Sequence, residues 1–132
     1  MARCAIDAVT LLHLVTNDFN VAPAHQLVAP NAIRSDALSL LHAAVRRAEL
    51  TERVALDRHT RISELKMRLL GDRMSRRTPW KLAIEHDWDD LSAAEYLAVC
   101  TLQADAFVTV DPTMANRARG IVPLAPVSAL LG

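Results

Sequence analysis

Glycine is nearly absent from this chain, at three in 132 residues. That scarcity leaves no glycine-rich phosphate cradle, and no nucleophile elbow is present either. Aromatic residues make up only 4%, so Ala, Leu and Val must build the interior. Two cysteines, Cys4 and Cys100, lie in apolar segments. They are too few for a disulfide framework and read as reduced thiols of a cytosolic protein. The five histidines are scattered, and no His/Cys spacing fits a zinc motif. His13 and His42 fall on expected helices and read as structural. Charge or proline interrupts every long apolar run, which argues against a membrane span. Asp7 and His13 would fall inside the apolar core of any signal peptide, so the N-terminus does not read as one.

What is present points to a single domain over residues 1–132. The length allows a real core, and 52% apolar content argues against disorder. Net charge is zero, but it is unevenly spread. From Arg46 to Lys81 there are eleven Lys/Arg against five Asp/Glu; from Glu85 to Asp111 there are seven acids and no Lys or Arg. These runs fit either solvated helix faces or a basic wall beside an acidic cluster that steers a polyanion.

The pattern predicts a buried strand at Arg3–Ile6 and a helix at Ala8–Val15 with Leu11, Leu12 and Val15 inward. Gln26–Ala29 reads as a second short strand. Ile33–Val45 reads as a helix with Ile33, Ala37, Leu40, Leu41 and Ala44 in one stripe. Thr51 is a good cap for a further helix, expected to run past Ile62 and Leu65 to Leu69 and stop at Gly71-Asp72-Arg73. Thr78-Pro79 repeats the start signal for a short helix to about His86. Asp89 or Asp90 can cap the next, through Ala94, Leu97, Ala98 and Leu102. A strand at Ala106–Val110, a short helix near Thr113–Ala118 and a last strand at Ile121-Val122 follow. The alternation predicts an α/β sandwich with a mostly parallel sheet.

Asp111 ends the run Ala106-Phe107-Val108-Thr109-Val110 just before Pro112. A carboxylate at the C-terminal end of a strand sits where open α/β sheets bind ligands. Asp7 stands in the same context after Cys4-Ala5-Ile6. Asp36 lies at the border of the stripe made by Ile33, Ala37 and Leu40, where a carboxylate is costly unless a metal or a nearby cation such as Arg34 neutralises it. Taken alone, Asp7 reads first as a strand-end turn or cap and Asp36 as a solvated first-turn residue. Together, three carboxylates from separated elements suit a hard divalent cation. Mg²⁺ takes carboxylates, waters and substrate phosphates as ligands. Such a site activates water and neutralises charge on a phosphodiester.

The order of these segments carries a resemblance. Strand-Asp7 is followed by Ala29-Pro30-Asn31-Ala32-Ile33-Arg34-Ser35-Asp36 opening a helix, then Ala94-Glu95-Tyr96-Leu97-Ala98-Val99, then Phe107-Val108-Thr109-Val110-Asp111. Over nearly its whole length the chain resembles a PIN domain, and specifically the VapC-type toxins of bacterial toxin–antitoxin pairs. The resemblance implies a Mg²⁺- or Mn²⁺-dependent endoribonuclease with a PIN-like three-layer α/β/α sandwich. It also implies a cytoplasmic homodimer that acts on RNA and is inhibited by an antitoxin protein inserting a segment into the active-site groove. Residue by residue, it implies Asp7 as the first acid, Asp36 where the family usually has Glu, and Asp111 as the last acid. These three are the implied metal ligands, and Thr109 matches the small hydroxyl residue two before the last acid.

One position departs. The family usually reads Asp-Ala-x-Tyr where this chain reads Ala93-Ala94-Glu95-Tyr96. Asp90, roughly 60° round a helix and about one turn down, is a better substitute than Glu95 at about 160°. Without a substitute, the chain is a degenerate PIN domain that binds RNA or a partner with weak or no cleavage. A third reading is a helical interaction protein whose acids are caps and surface charges, indifferent to metal. Basic residues between Arg46 and Arg77, including the pair Arg76-Arg77, are candidate phosphate contacts. Trp80, Trp88 and Tyr96 read as packing.

Overall fold

The computed structural model describes residues 2–71 and 77–131. The expected turn residues Asp72 and Arg73, and Arg76 of the basic pair, lie outside the described residues. Strand and helix alternate as β1 (Ala2–Ile6), α1 (Ala8–Thr16), β2 (His25–Pro30), α2 (Ile33–Arg46) and α3 (Glu52–Glu64). Then come β3 (Arg68–Leu70), α4 (Arg77–Glu85), α5 (Ser92–Gln103), β4 (Ala106–Val108), α6 (Pro112–Ala118), β5 (Leu124–Ala125) and a 3-10 turn at Val127–Leu130. The five strands form one sheet in the order β3-β2-β1-β4-β5, and every pairing is parallel. The fold is the expected PIN-like α/β/α sandwich.

β1 is the central strand, with Cys4 beside Leu27 of β2 and beside Ala106 of β4. A strand covered on both faces needs apolar residues throughout, and Cys4, Ala5 and Ile6 are all buried. α1, α2 and α3 pack on one another, while α5 contacts α4 and α6 and lies against β1, β2 and β4. The chain leaves β1 towards β2 on one side and returns through β4 on the other. Strand order therefore reverses between β1 and β4, where the C-terminal connections part and open a crevice.

Several expectations change in detail. The helix from Thr51 stops at Glu64, and Leu65 is extended (φ −73°, ψ 130°). Leu65, Met67 and Leu69 then alternate towards the core, and Arg68–Leu70 pairs with β2 as an edge strand. Exposed Lys66 and Arg68 fit the charged character that protects such an edge. Thr78 is not a cap, since α4 already includes Arg77; Pro79 is tolerated in the first turn because its missing N–H has no helical partner there. The last strand is Leu124–Ala125, not Ile121-Val122. Leu40 leaves the buried stripe at 39% exposure, and Trp80 stands 61% exposed and outside the core. Scarce glycine has a local cost as well: Asp18 (φ 54°), Ala48 (φ 60°) and Asp87 (φ 54°) take the left-handed positions that end helices.

Candidate functional site

Among the described residues, the buried polar side chains are Asp7, at 5% exposure, and Thr10, at 0%. They are bonded to each other. Asp7 caps α1, its Oδ1 accepting from the Thr10 backbone N–H at 2.9 Å and from the Thr10 hydroxyl at 2.5 Å. Its Oδ2 accepts from the Thr109 hydroxyl at 2.7 Å. A buried carboxylate is tolerated only with such donors, and bonds to a charged group contribute roughly 1.5–3 kcal/mol each. Counting lone pairs, Oδ1 is filled by two donors and Oδ2 keeps one pair open.

The end of β4 is built to meet this carboxylate. The ladder stops at Val108, two residues short of the expected Val110, because the next groups find hydroxyl partners instead. The Val110 N–H donates to Thr10 Oγ1 and the Asp111 N–H to Thr109 Oγ1, each at 3.1 Å. Thr10 and Thr109 are therefore relays: each donates to Asp7 and accepts from the segment that carries Asp111. Asp111 caps α6, its Oδ1 accepting from the Thr113 N–H at 3.0 Å. Its Oδ2 has no donor among the described residues. Both strand-end acids are thus caps, as the plainer reading had it, and each retains an oxygen site for something further.

The helix side of the crevice is simpler. Asp36, in the first turn of α2, accepts at Oδ2 from the Tyr96 hydroxyl at 2.6 Å. Burial, followed by the hydrogen bond to Asp36 and the charges of Asp36, Asp7 and Glu95, raises the Tyr96 phenol above its ordinary value. Tyr96 therefore remains a proton donor. Arg34 does not neutralise Asp36; its guanidinium reaches the Leu65 carbonyl at 3.4 Å, and its Nε is buried without a partner. Ala93 is buried at 6% and presents only its methyl. Asp90 precedes α5, and its Oδ1 accepts from the Ser92 N–H at 3.1 Å, so it supports the helix start although Leu91 is the cap residue.

These elements enclose a cavity of about 400 Å³ whose lining includes Asp7, Asp36, Asp90, Ala93, Tyr96, Asp111 and Arg117. The structure brings together Asp7, Asp36, Asp90 and Asp111, and places Thr109 behind Asp7. Glu95 is exposed and does not line the cavity. The donor set, carboxylates without His or Cys, is that of a hard cation such as Mg²⁺ or Mn²⁺. Among the described residues, however, no three His, Cys, Asp or Glu side chains converge closely enough to hold a metal. Asp7, Asp36 and Asp111 are each held by their own internal partner. The arrangement fits a hydrated cation on one or two carboxylates, with waters and substrate oxygens completing the shell, and does not fit a closed protein cage.

Three lining or supporting residues were not legible as such. Thr10 is an i+3 hydroxyl after a strand-end acid, which signals a cap but not a cross-link. Tyr96 was read as packing; it is buried and also holds Asp36. Arg117 lies outside the basic run from Arg46 to Lys81. Its guanidinium sits 5.4 Å from the Trp88 ring centroid, and Trp88 is stacked with His86 at 5.1 Å. Cys4 and Cys100 are free and buried, as expected.

No protein-family model and no curated protein matches the sequence. Among solved structures, the chain is similar to PAE2754 from Pyrobaculum aerophilum, with a TM-score of 0.72 and 16% identity over 98% of this chain and 93% of that one. At that identity the likeness shows the fold: the chain shares the parallel α/β architecture that its strand-end acids pointed to.

Proposed function

We propose that this chain is a divalent-metal-dependent endoribonuclease of the VapC type, the toxin of a toxin–antitoxin pair. A shared fold does not assign chemistry. The observation that carries the reading is the cavity at the β1/β4 switch point, where Asp7 and Asp111, fixed by two threonine hydroxyls, share one space with Asp36 and Asp90. Mg²⁺ or Mn²⁺ would be held by Asp7 and Asp111, with Asp36 reaching it directly or through water. When bound, the ion would neutralise charge on a phosphodiester and lower the pKa of a water. The chain's own residues supply the rest. Thr10 and Thr109 fix Asp7, Tyr96 fixes Asp36, and Asp90 offers a carboxylate oxygen beside the Ala93 methyl.

RNA is the substrate on this reading, and a second copy of the chain and an antitoxin are the protein partners. Exposed Leu38 and Leu56 on α2 and α3, and Trp80 and Ile84 on α4, give apolar surface for such partners. No helix among the described residues is long and apolar enough to cross a membrane, and the two free thiols agree with a cytoplasmic setting. Cleavage of single-stranded RNA by the purified protein, with Mn²⁺ or Mg²⁺ against EDTA, tests the activity. Loss of cleavage in EDTA and in Asp7→Asn is expected; an Asp7→Asn protein that cuts as well as the parent overturns it.

Ala93 favours one second reading, a degenerate PIN domain that binds RNA or a partner with weak or no cleavage. A methyl holds neither metal nor water, and it stands in the wall of the cavity.

A further inference from the structure

The acid cavity has an electrostatic problem that one side chain resolves. Its lining carries Asp7, Asp36, Asp90 and Asp111, and Arg117 is the cation among the described lining residues. Four carboxylates repel a polyanion unless positive charge faces it. Arg117 is not consumed by those acids. The ion pairs among the described residues are Arg47–Glu49, Arg61–Asp18 and Lys81–Glu85, and none involves Arg117 or the cavity. Its guanidinium carbon instead lies over the Trp88 ring, 5.4 Å from the centroid and within cation–π range. Trp88 is in turn stacked with His86 at an interplanar angle of 23°. A cation–π contact consumes no N–H, and among the described residues no carboxylate pairs with this guanidinium, so its N–H fork is available for bidentate bonding to phosphate. The stack also fixes a long side chain before a ligand arrives, reducing the ordering cost of binding. Favourable charge at the end of α6 explains a basic residue there, but not one that lies over tryptophan and lines an acid cavity.

We propose that Arg117, held by the Trp88–His86 stack, binds a backbone phosphate of single-stranded RNA at the edge of the acid cavity. The choice of RNA rests on the ribonuclease reading. The direct test is fluorescence anisotropy of a labelled single-stranded oligoribonucleotide with the full chain in EDTA, so that binding is read without metal. Arg117→Ala should raise Kd roughly tenfold. It should lower the slope of log K against log salt by about 0.7, one phosphate contact on a single strand. Arg117→Lys should keep the slope and recover only part of the affinity, since it keeps charge without the fork. Trp88→Ala should weaken binding less, and Trp88→Phe should restore it. Arg117→Gln replaces the Ala variant if that variant does not fold. Unchanged Kd and slope in Arg117→Ala, or no binding by the parent protein, overturns the proposal. If the parent binds through Arg117 but never cleaves with metal, this inference stands and the nuclease reading falls. If it cleaves while Arg117→Ala keeps its Kd and KM, the reverse holds.

Discussion

On the strand side of the cavity, Asp7 and Asp111 are joined through Thr10 and Thr109, with backbone N–H groups locking each hydroxyl. On the helix side, Asp36 has one phenol as its partner, and position 93 offers a methyl. One half is cross-linked around the buried Asp7–Thr10 pair, and removing any member strands others. In the other half Asp36 rests on a single contact and Asp90 only on the start of α5, so it is open to adjustment. The difference teaches where precision is built in: acids at strand ends inherit the stiffness of the sheet, whereas acids on helices depend on individual side chains.

The sharpest way to break this contrast is to neutralise one acid from each side. On the nuclease reading, Asp7→Asn should lower kcat/KM for RNA on the order of a thousandfold, and Asp36→Asn about tenfold, because Asp7 would be the pre-positioned ligand. Equal losses in a cleavage assay would erase the distinction.

Removing hydroxyls probes stability rather than rate. Thr10→Val keeps the shape but leaves the Asp7 carboxylate and the Val110 N–H short of a partner, and should cost about 2–3 kcal/mol in urea unfolding at neutral pH. Tyr96→Phe removes one bond at the half-buried Asp36 and should cost about 1 kcal/mol. A Tyr96→Phe cost as large as that of Thr10→Val would show the helix side to be equally stiff.

Ala93→Asp sharpens the contrast from the opposite direction by completing the helix side. Cleavage with Mn²⁺ should rise about a hundredfold, the low end for a positioned acid or base group. The metal-free protein should lose stability, because Ala93 is 6% exposed beside other acids. No gain in a single-turnover assay would mean that Asp90 already fills the role.

The smallest effect is in pH dependence. Tyr96 has a folded pKa above its ordinary 10.0, mainly through burial and then through Asp36. The folded chain therefore keeps a proton that the unfolded chain releases, so this stabilisation is complete below pH 10 and is lost as pH rises further. Cys100, pushed up to about 12 from 9.0 by burial, with Cys4 and Asp105 adding to it, acts in the same direction from pH 9. Thermal melts from pH 8 to 11 should fall less steeply in Tyr96→Phe, and a Cys100→Ala background separates the two groups.

Much of this was legible in the sequence. Alternating apolar runs and caps gave the sheet and helices, and an acid immediately after a buried strand is a local signal, so Asp7 and Asp111 could be found. β3 could not, because Ile62, Leu65 and Leu69 continue a helical spacing while Leu65, Met67 and Leu69 also alternate, and only pairing with β2 decides between them. Tyr96 and Asp36 are 60 residues apart, and no periodicity links them. Arg117 was hidden for a similar reason: its neighbour Trp88 belongs to a different segment, brought near by packing.

The Thr109–Asp7 bond spans 102 residues and the Val110–Thr10 bond spans 100. Non-local parallel pairing is entropically slow to form. Until β4 has joined β1 the Asp7 cluster lacks its Thr109 and Val110 partners, so the strand side of the cavity assembles only with this long-range pairing and not with the first local elements.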